Sequence, residues 1–396
     1  MVRRVLIIVQ NLPIPFDRRV WQEATTLAQS GYDVTVICPR GHRFEAARET
    51  LENVRIYRHP QPLEAHGAFG YALEYSSSLF WEMLLTCRVA FTHGFDAIHA
   101  CNPPDTIFLI GGFFKMLDKK FVFDHHDINP ELYEAKFHRR DLFYRLICWL
   151  ERMTFRTADI VISTNESYRR IAIARGNVHP ARIFVVRSGP SLERIKIQPP
   201  TPSRRMGKTF LIGYVGVMGP QEGIPYLLEA ARIITREWNR ADVQFTLVGG
   251  GPALAELQSL AQKMNLDPCV NFTGRVSDAD MLEVLNTADL CVNPDEVNAM
   301  NDQSTMNKIM EYMALAKPIV QFDVAEGKFS AGESSLYAAP NNARDFAAKI
   351  VQLLDDPETR EHMGKFGRTR VETELAWPRE APKLLAAYDA LFAEAP

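Results

Sequence analysis

The chain has 396 residues, 46% hydrophobic and 23% charged, enough for two or three folded units and unlike a disordered or fibrous protein. Its formal charge of −3 is too small to hold a polyanion non-specifically, so nucleic acid is not an expected partner. Six scattered cysteines, never at CxxC or Cys/His spacing, read as core thiols of a cytoplasmic protein and offer no metal site, and no apolar run approaches the ~18 residues of a membrane span.

In chain order, Val5–Val9 is a β-branched apolar run and reads as a first strand rather than a signal peptide, because residues 11–19 are polar and proline-bearing without a small-residue cleavage site. Arg19–Ser30 follows as a helix with Val20, Ala24 and Leu27 on one face, stopped by Gly31. Further strands are expected at 33–38, 54–57, 97–99, 121–123 and 160–162, with helical segments between most of them. That alternation predicts a doubly wound parallel sheet. The second half repeats the scheme, with strands at 210–215, 244–248, 270–273, 290–292 and 318–320. Between the halves lies Gln198–Lys208, too rich in proline and charge for an element interior. The expected organisation is an N-terminal domain over 1–197, a linker over 198–208 and a C-terminal domain over 209–396, whose last helix, about 377–394, packs back on the first domain. Residues 1–195 hold 25 Lys/Arg against 21 Asp/Glu, so the first half is basic and the second acidic. Two such sheets are expected to face each other across a cleft at the carboxyl ends of their strands, where ligands of open α/β sheets bind.

The chemistry is therefore sought in the loops after strands. Gly216, Gly219 and Gly223 lie in the turn between strand 210–215 and a helix from about Ile224, either a phosphate-binding loop or a plain tight turn. Gly249 and Gly250 repeat the device one strand later. Arg275 and Val276 end a third loop, which either meets a nucleobase or is a turn with a solvated arginine. In the stretch 301–320, Ser304 or Thr305 is expected to cap a helix whose amides face an anion, with Lys308 as an added mobile cation. Glu311 stands on an apolar face, where a carboxylate is costly without a partner; a ribose diol and a structural salt bridge are both open.

These residues, together with Phe16-Asp-Arg-Arg-Val20, Asp96-Ala-Ile-His99, Phe123-Asp-His-His-Asp-Ile-Asn-Pro-Glu131, Leu247-Val-Gly-Gly-Gly-Pro252 and Phe272-Thr-Gly-Arg275, resemble the family 4 (group 1) retaining glycosyltransferases over essentially the whole chain. The resemblance implies the GT-B fold, two Rossmann-like domains, and transfer of a hexose-type sugar from a UDP- or GDP-linked donor to a glycan or lipid-linked acceptor, as in cell-surface polysaccharide synthesis. It implies that Glu311 holds the donor ribose, that the amides of Ser304, Thr305, Met306, Asn307 and Lys308 hold the diphosphate, that Arg275 and Val276 meet the base, and that His126 touches the transferred sugar. Gly216, Gly219, Gly249 and Gly250 would line the donor, and Asn11, Asp17, Arg18, His125 and Arg187 the acceptor side. No cofactor or metal is expected.

The chain also departs from that pattern. Gln303 stands where a first glutamate is usual, and Val217 and Glu222 stand where an arginine and a lysine are usual. Lys308, with Arg187, is the expected replacement for the lost cations, and Glu222 is expected to be solvated or paired. Residues 136–175 hold nine Lys/Arg and four Asp/Glu interleaved with aromatic and aliphatic residues. That stretch suits either an anionic membrane face, such as the inner face of the plasma membrane bearing a lipid-diphosphate acceptor, or a helix packed on its own sheet. Tyr71–Phe91 is open to the same two readings. The alternatives to transfer are a nucleotide-sugar epimerase of the same fold and a silent sugar-nucleotide-binding partner.

Overall fold

Runs such as Val5–Val9 and Val34–Cys38 are buried along their whole length, and strands with no exposed face are stable only inside a sheet covered on both sides. The computed structural model describes residues 2–41, 44–61 and 67–393, with backbone alone over 67–75. It divides into two units, one of Met1–Ser188 together with the chain from Glu380 onward, the other of Gly189–Arg379.

The first unit holds β1 Arg4–Ile8, β2 Asp33–Pro39, β3 Arg48–Leu51, β4 Val54–His59, β5 Ala97–Cys101, β6 Lys120–His125, β7 Ile160–Ser163 and β8 Ile183–Val185, in the order β3-β4-β2-β1-β5-β6-β7-β8. Its helices are α1 Arg18–Gln29, α2 Gly67–Thr92, α3 Phe108–Lys115, α4 Asn129–Phe137, α5 Leu142–Thr157 and α6 Glu166–Ala174. Every pairing is parallel except β3 with β4. That antiparallel edge hairpin was not expected; it turns through Glu52 and Asn53, both at positive φ. One face of the sheet packs Ile110 and Phe114 of α3, Phe155 of α5 and Ala172 of α6 against Leu6, Ile98 and Phe123.

The second unit holds β9 Phe210–Val215, β10 Val243–Val248, β11 Val270–Gly274, β12 Leu290–Asn293, β13 Ile319–Phe322 and β14 Ser335–Ala338, all parallel, in the order β11-β10-β9-β12-β13-β14. Its helices are α7 Ile224–Arg232, α8 Leu254–Lys263, α9 Asp278–Thr287, α10 Ala299–Gln303, α11 Asn307–Ala314, α12 Ala325–Ala331, α13 Ala343–Asp355 and α14 Pro357–Arg370. Alternate residues of β9 feed its two cores, Ile212 and Tyr214 on the α7 and α13 side, Leu211 on the α9 and α11 side.

The division between the units falls at Ser188/Gly189, ahead of the proline-rich segment expected as the linker. Residues 198–205 instead lie on the second unit, because its α9 offers them polar partners. The Gln198 N–H donates to Asn286 Oδ1 at 2.9 Å, and Arg204 reaches Asp280 at 2.6 Å and Glu283 at 2.8 Å. The last helix, α15 Trp377–Phe392, carries the return to the first unit. There Glu380 accepts the Arg187 backbone N–H at 2.9 Å, and the Tyr388 hydroxyl meets His99 Nδ1 at 2.9 Å. Residue 394, where that helix was expected to end, lies outside the described residues. No described helix is long and apolar enough to cross a membrane.

Candidate functional site

In a parallel sheet all carboxyl ends share one edge, so the loops after β9, β10, β11 and β12 are neighbours in the second unit. Backbone hydrogen bonds zip three of them together. Gly216 donates to Val248 O at 3.1 Å, Met218 to Gly250 O at 3.0 Å, and Gly249 to Gly274 O at 3.0 Å. A Cβ on Gly249, whose φ is +139°, would sit 1.8 Å from Gly216 O, so the glycine is required by loop-to-loop contact. The amides of Gly216 and Gly249 are thus spent on protein carbonyls, as in the tight-turn alternative of the two readings left open for these loops. Gly250 adjoins Arg275, with the nearest Arg275 atoms 3.9 Å from its hypothetical Cβ. A Cβ on Gly219 would meet the Gln221 side chain. Arg275 is exposed, while Val276 and Met306 pack on the same core cluster.

The segment after β12 differs from expectation. Asn298 caps a short helix, α10, and Ser304 ends it, its hydroxyl donating to Met300 O at 2.8 Å. Helix α11 then starts from Met306 with no side-chain cap, so neither Ser304 nor Thr305 caps it. Asn301 ties α10 to the first loop through Gln221 O at 3.0 Å. Gln303 bonds back to Ala299 O, and Asp302 accepts the Ala325 N–H. Asn307, the first residue of α11, is exposed.

Lys308 is not mobile. Its ammonium is buried between Asp295 Oδ1 at 2.8 Å and Glu222 Oε2 at 2.9 Å, and lies 5.1 Å from the centre of the Tyr214 ring. Burial opposes its charge, but the two carboxylates hold its pKa well above the ordinary lysine value. Burial, partly offset by Lys308, pushes Asp295 up to about 6. The expected free cation is therefore already engaged, and Glu222 is paired as its acidity required. Glu311 is paired with Arg194, which also reaches Asp278 at 3.2 Å, so a protein cation answers the cost of that carboxylate. Tyr312, next in sequence, receives the Val215 N–H at 2.9 Å and fixes the start of the first loop; nothing singled it out beforehand.

The corresponding edge of the first unit holds a denser network. Arg19 makes a bidentate pair with Asp124, at 2.8 and 3.1 Å, reaches Glu23 at 3.0 Å, and donates to Val186 O and Ser188 Oγ. Asp124 also faces His126 Nδ1 at 3.1 Å. Burial opposes the imidazolium, but the hydrogen bond and charge of Asp124 raise His126 to about 9. Asn102 accepts the backbone N–H groups of His126 and Asp127 and fixes their loop. Glu23, His99, Cys101 and Asp124 bring potential metal-ligand atoms within 4.8 Å of one another. The single Arg19 guanidinium is shared by both carboxylates there, and burial pushes Glu23 up to about 7. Arg19, Glu23 and Asp124 were missed as site residues; the signal was Arg19 and Glu23 lying four residues apart among the buried positions of α1.

Among the expected acceptor-side residues, Asn11 and Arg18 are exposed, and Asp17 is the N-cap of α1, accepting the Val20 N–H at 3.1 Å. His125 is a correction: it is fully buried among Phe123, Phe155 and Tyr168, 3.5 Å from Glu151, because the strand alternation turns it inward and leaves His126 partly open. Arg187 is likewise buried in the first unit, so it is no free replacement cation.

Two family models match, "Glycosyltransferase Family 4" over residues 17–194 and "Glycosyl transferases group 1" over 209–356. The chain belongs to this glycosyltransferase family. The chain is 29% identical over 157 residues to alpha-D-kanosaminyltransferase of Streptomyces kanamyceticus, covering 39% of each chain. It is 24% identical over 263 residues to D-inositol 3-phosphate glycosyltransferase of Kineococcus radiotolerans, covering 60% of this chain and 58% of the relative. These alignments thus span less than two thirds of the curated relatives. Among solved structures, sucrose-phosphate synthase of Thermosynechococcus elongatus superposes with a TM-score of 0.79 at 20% identity, covering 99% of this chain and all of that one. Anabaena HepE in complex with UDP-glucose gives 0.72 at 15%, covering 98% and 99%. The fold is therefore GT-B, and the epimerase alternative finds no support.

Proposed function

We propose that the protein is a retaining hexosyltransferase using a UDP- or GDP-linked donor and a glycan or lipid-linked acceptor, without a metal or cofactor. The observation that carries this reading is the common edge of the second sheet, where the zipped loops after β9, β10 and β11 adjoin the segment leading into α11. There the first amides of α11 have no intrahelical acceptor and are suited to a diphosphate. Arg275 and Val276 would meet the base, Glu311 the ribose diol on exchanging its partner Arg194, and Gln303 the sugar. Lys308 takes a positioning role in place of the expected direct one, keeping the Glu222 carboxylate off the phosphates. In the first unit, His126 is charged at neutral pH and serves as a hydrogen-bond donor to sugar or acceptor, not as a base. Front-side transfer suits this, since the departing phosphate takes the acceptor proton. HepE complexes with UDP and UDP-glucose and a GDP-mannose-dependent relative from Corynebacterium glutamicum support a nucleotide-sugar donor.

The test is incubation of the purified chain with UDP- and GDP-hexoses, with and without a polyprenyl-diphosphate glycan, in EDTA. Acceptor-dependent transfer is expected; binding without turnover would leave a silent partner, and a strict Mg²⁺ requirement would transfer Asp295 and Glu222 to a metal. Glu311→Gln is expected to lower kcat/KM for the donor by about 10- to 100-fold, the scale of one charged hydrogen bond. Early melting with wild-type turnover per folded molecule would make Glu311 only the structural partner of Arg194.

A further inference from the structure

Helix α5 has one buried side, through Glu151, Thr154 and Phe155, and one open side whose residues recur at helical spacing. On the open side Leu142, Leu146 and Trp149 are 81%, 45% and 50% exposed. Between and beyond them stand Arg145, Arg152 and Arg156, all exposed and without an ion pair among the described residues. Helix α3 runs alongside: Phe108 meets Trp149 edge-on with ring centres 6.0 Å apart, and Lys115 Nζ reaches Thr157 O at 2.8 Å. Its outer face adds Leu109 and Phe113, which are also exposed.

A soluble surface rarely keeps so much contiguous apolar area open. The unpaired charge along α5 has one sign. Every acid from Glu131 to Asp159 is paired within the unit: Glu131 and Glu151 with Arg175, Glu134 with Arg140, Asp141 with Arg139, and Asp159 with Lys115. The arginines of the α5 stripe thus stand uncompensated beside leucine and tryptophan. An acidic protein groove would satisfy the cations but would not need aliphatic side chains flush with them. A bilayer surface takes both, the arginines at anionic headgroups and the apolar residues at the acyl boundary.

We infer that the α3–α5 face docks the protein on an anionic lipid surface. The sequence alone left this stretch open between membrane contact and intramolecular packing, and the two readings divide by side, since α5 does pack on its sheet through its inner residues. On α2, Phe80, Leu84 and Phe91 are exposed as well, while Leu79 and Leu85 pack inward; the side chain of Tyr71 lies outside the described residues.

The test is sedimentation of the full chain with phosphatidylcholine vesicles, with and without phosphatidylglycerol, at 0.1 M and 0.5 M salt. Binding is expected only to the anionic vesicles and only at the lower salt. Arg145→Gln/Arg152→Gln/Arg156→Gln should weaken it by about 100-fold, near the additive effect of three basic residues at a charged surface. Leu146→Ser/Trp149→Ser should weaken it as well, with unchanged circular dichroism. Equal binding to neutral vesicles, or indifference to the arginine changes, would overturn the proposal. So would a concentration-dependent dimer that Leu146→Ser/Trp149→Ser dissolves, which would assign the face to a second copy. Transfer to a soluble acceptor, measured without vesicles, should be unchanged in both variants. Failure of the parent chain to bind the anionic vesicles with its transfer intact rejects this inference alone, and docking of the parent chain without any transfer rejects the functional reading alone.

Discussion

Lys308→Met should destabilise the protein by about 3–5 kcal/mol in urea unfolding, the usual consequence of removing one member of a buried ion pair. Two carboxylates converge on the one ammonium, and Asp295 is essentially inaccessible to water. Without the lysine, Asp295 must either stay charged and unpaired or take up a proton. Either change costs more than the lost contact itself. Asp295→Asn added to Lys308→Met should recover most of the stability, since an amide removes the stranded charge. Glu222→Lys added to Lys308→Met should also recover it, by returning an ammonium to the face of Asp295. A Lys308→Met loss below about 1 kcal/mol would mean that the ammonium and the two carboxylates behave as exposed ion pairs.

Asp124→Asn should have an effect of the same size, about 3–5 kcal/mol, because it strips Arg19 of its bidentate partner in a fully enclosed position. A second experiment isolates the histidine. The folded pKa of His126, about 9, lies above the ordinary histidine value near 6.5, so charging His126 stabilises the fold. That contribution, about 3 kcal/mol from the difference in pKa, is complete below pH ~6.5 and is lost as the pH rises through ~9. His126→Gln should therefore lose about 3 kcal/mol against the parent at pH 6 and little at pH 10. A pH-independent difference would show that the imidazole contributes packing and not charge.

The main strands were readable because each is built on apolar residues, even where a polar one such as Arg55, Gln244 or Asn271 stands among them, and those of the second half were placed within two residues. The short strands β3, β8 and β14 were not expected. β3 alternates exposed and half-buried residues at a sheet edge and so lacks a buried run. The site was legible as a set of loops but not as a set of partners. Glycine at a strand end signals close approach, and sequence cannot say whether a phosphate or another loop makes it. Gly249 and Gly216 answered with each other. The pairing of Lys308 with Glu222 was foreshadowed, because an acid standing where a lysine is usual needs a cation within reach. Arg194 as the partner of Glu311 was not, since the two are 117 positions apart and no local pattern joins them. His125 and His126 were both expected at the site, but the end of β6 turns His125 into the core and leaves only His126 partly open.

The return of α15 also sets an order in which the two units are completed during synthesis. Domains generally fold as they emerge, the N-terminal one first. Here Tyr388 is fully buried against His99 in the first unit, and Glu380 holds the Arg187 amide there. A ribosome that has released residues 1–188 has therefore delivered a sheet with an open side, whereas Gly189–Arg379 is contiguous and has every element it needs before Tyr388 is made. The residues of the second unit are therefore complete before those of the unit begun first. A nascent chain stalled before residue 380 lacks the Glu380 and Tyr388 contacts of its first unit, although every residue of the second has been made.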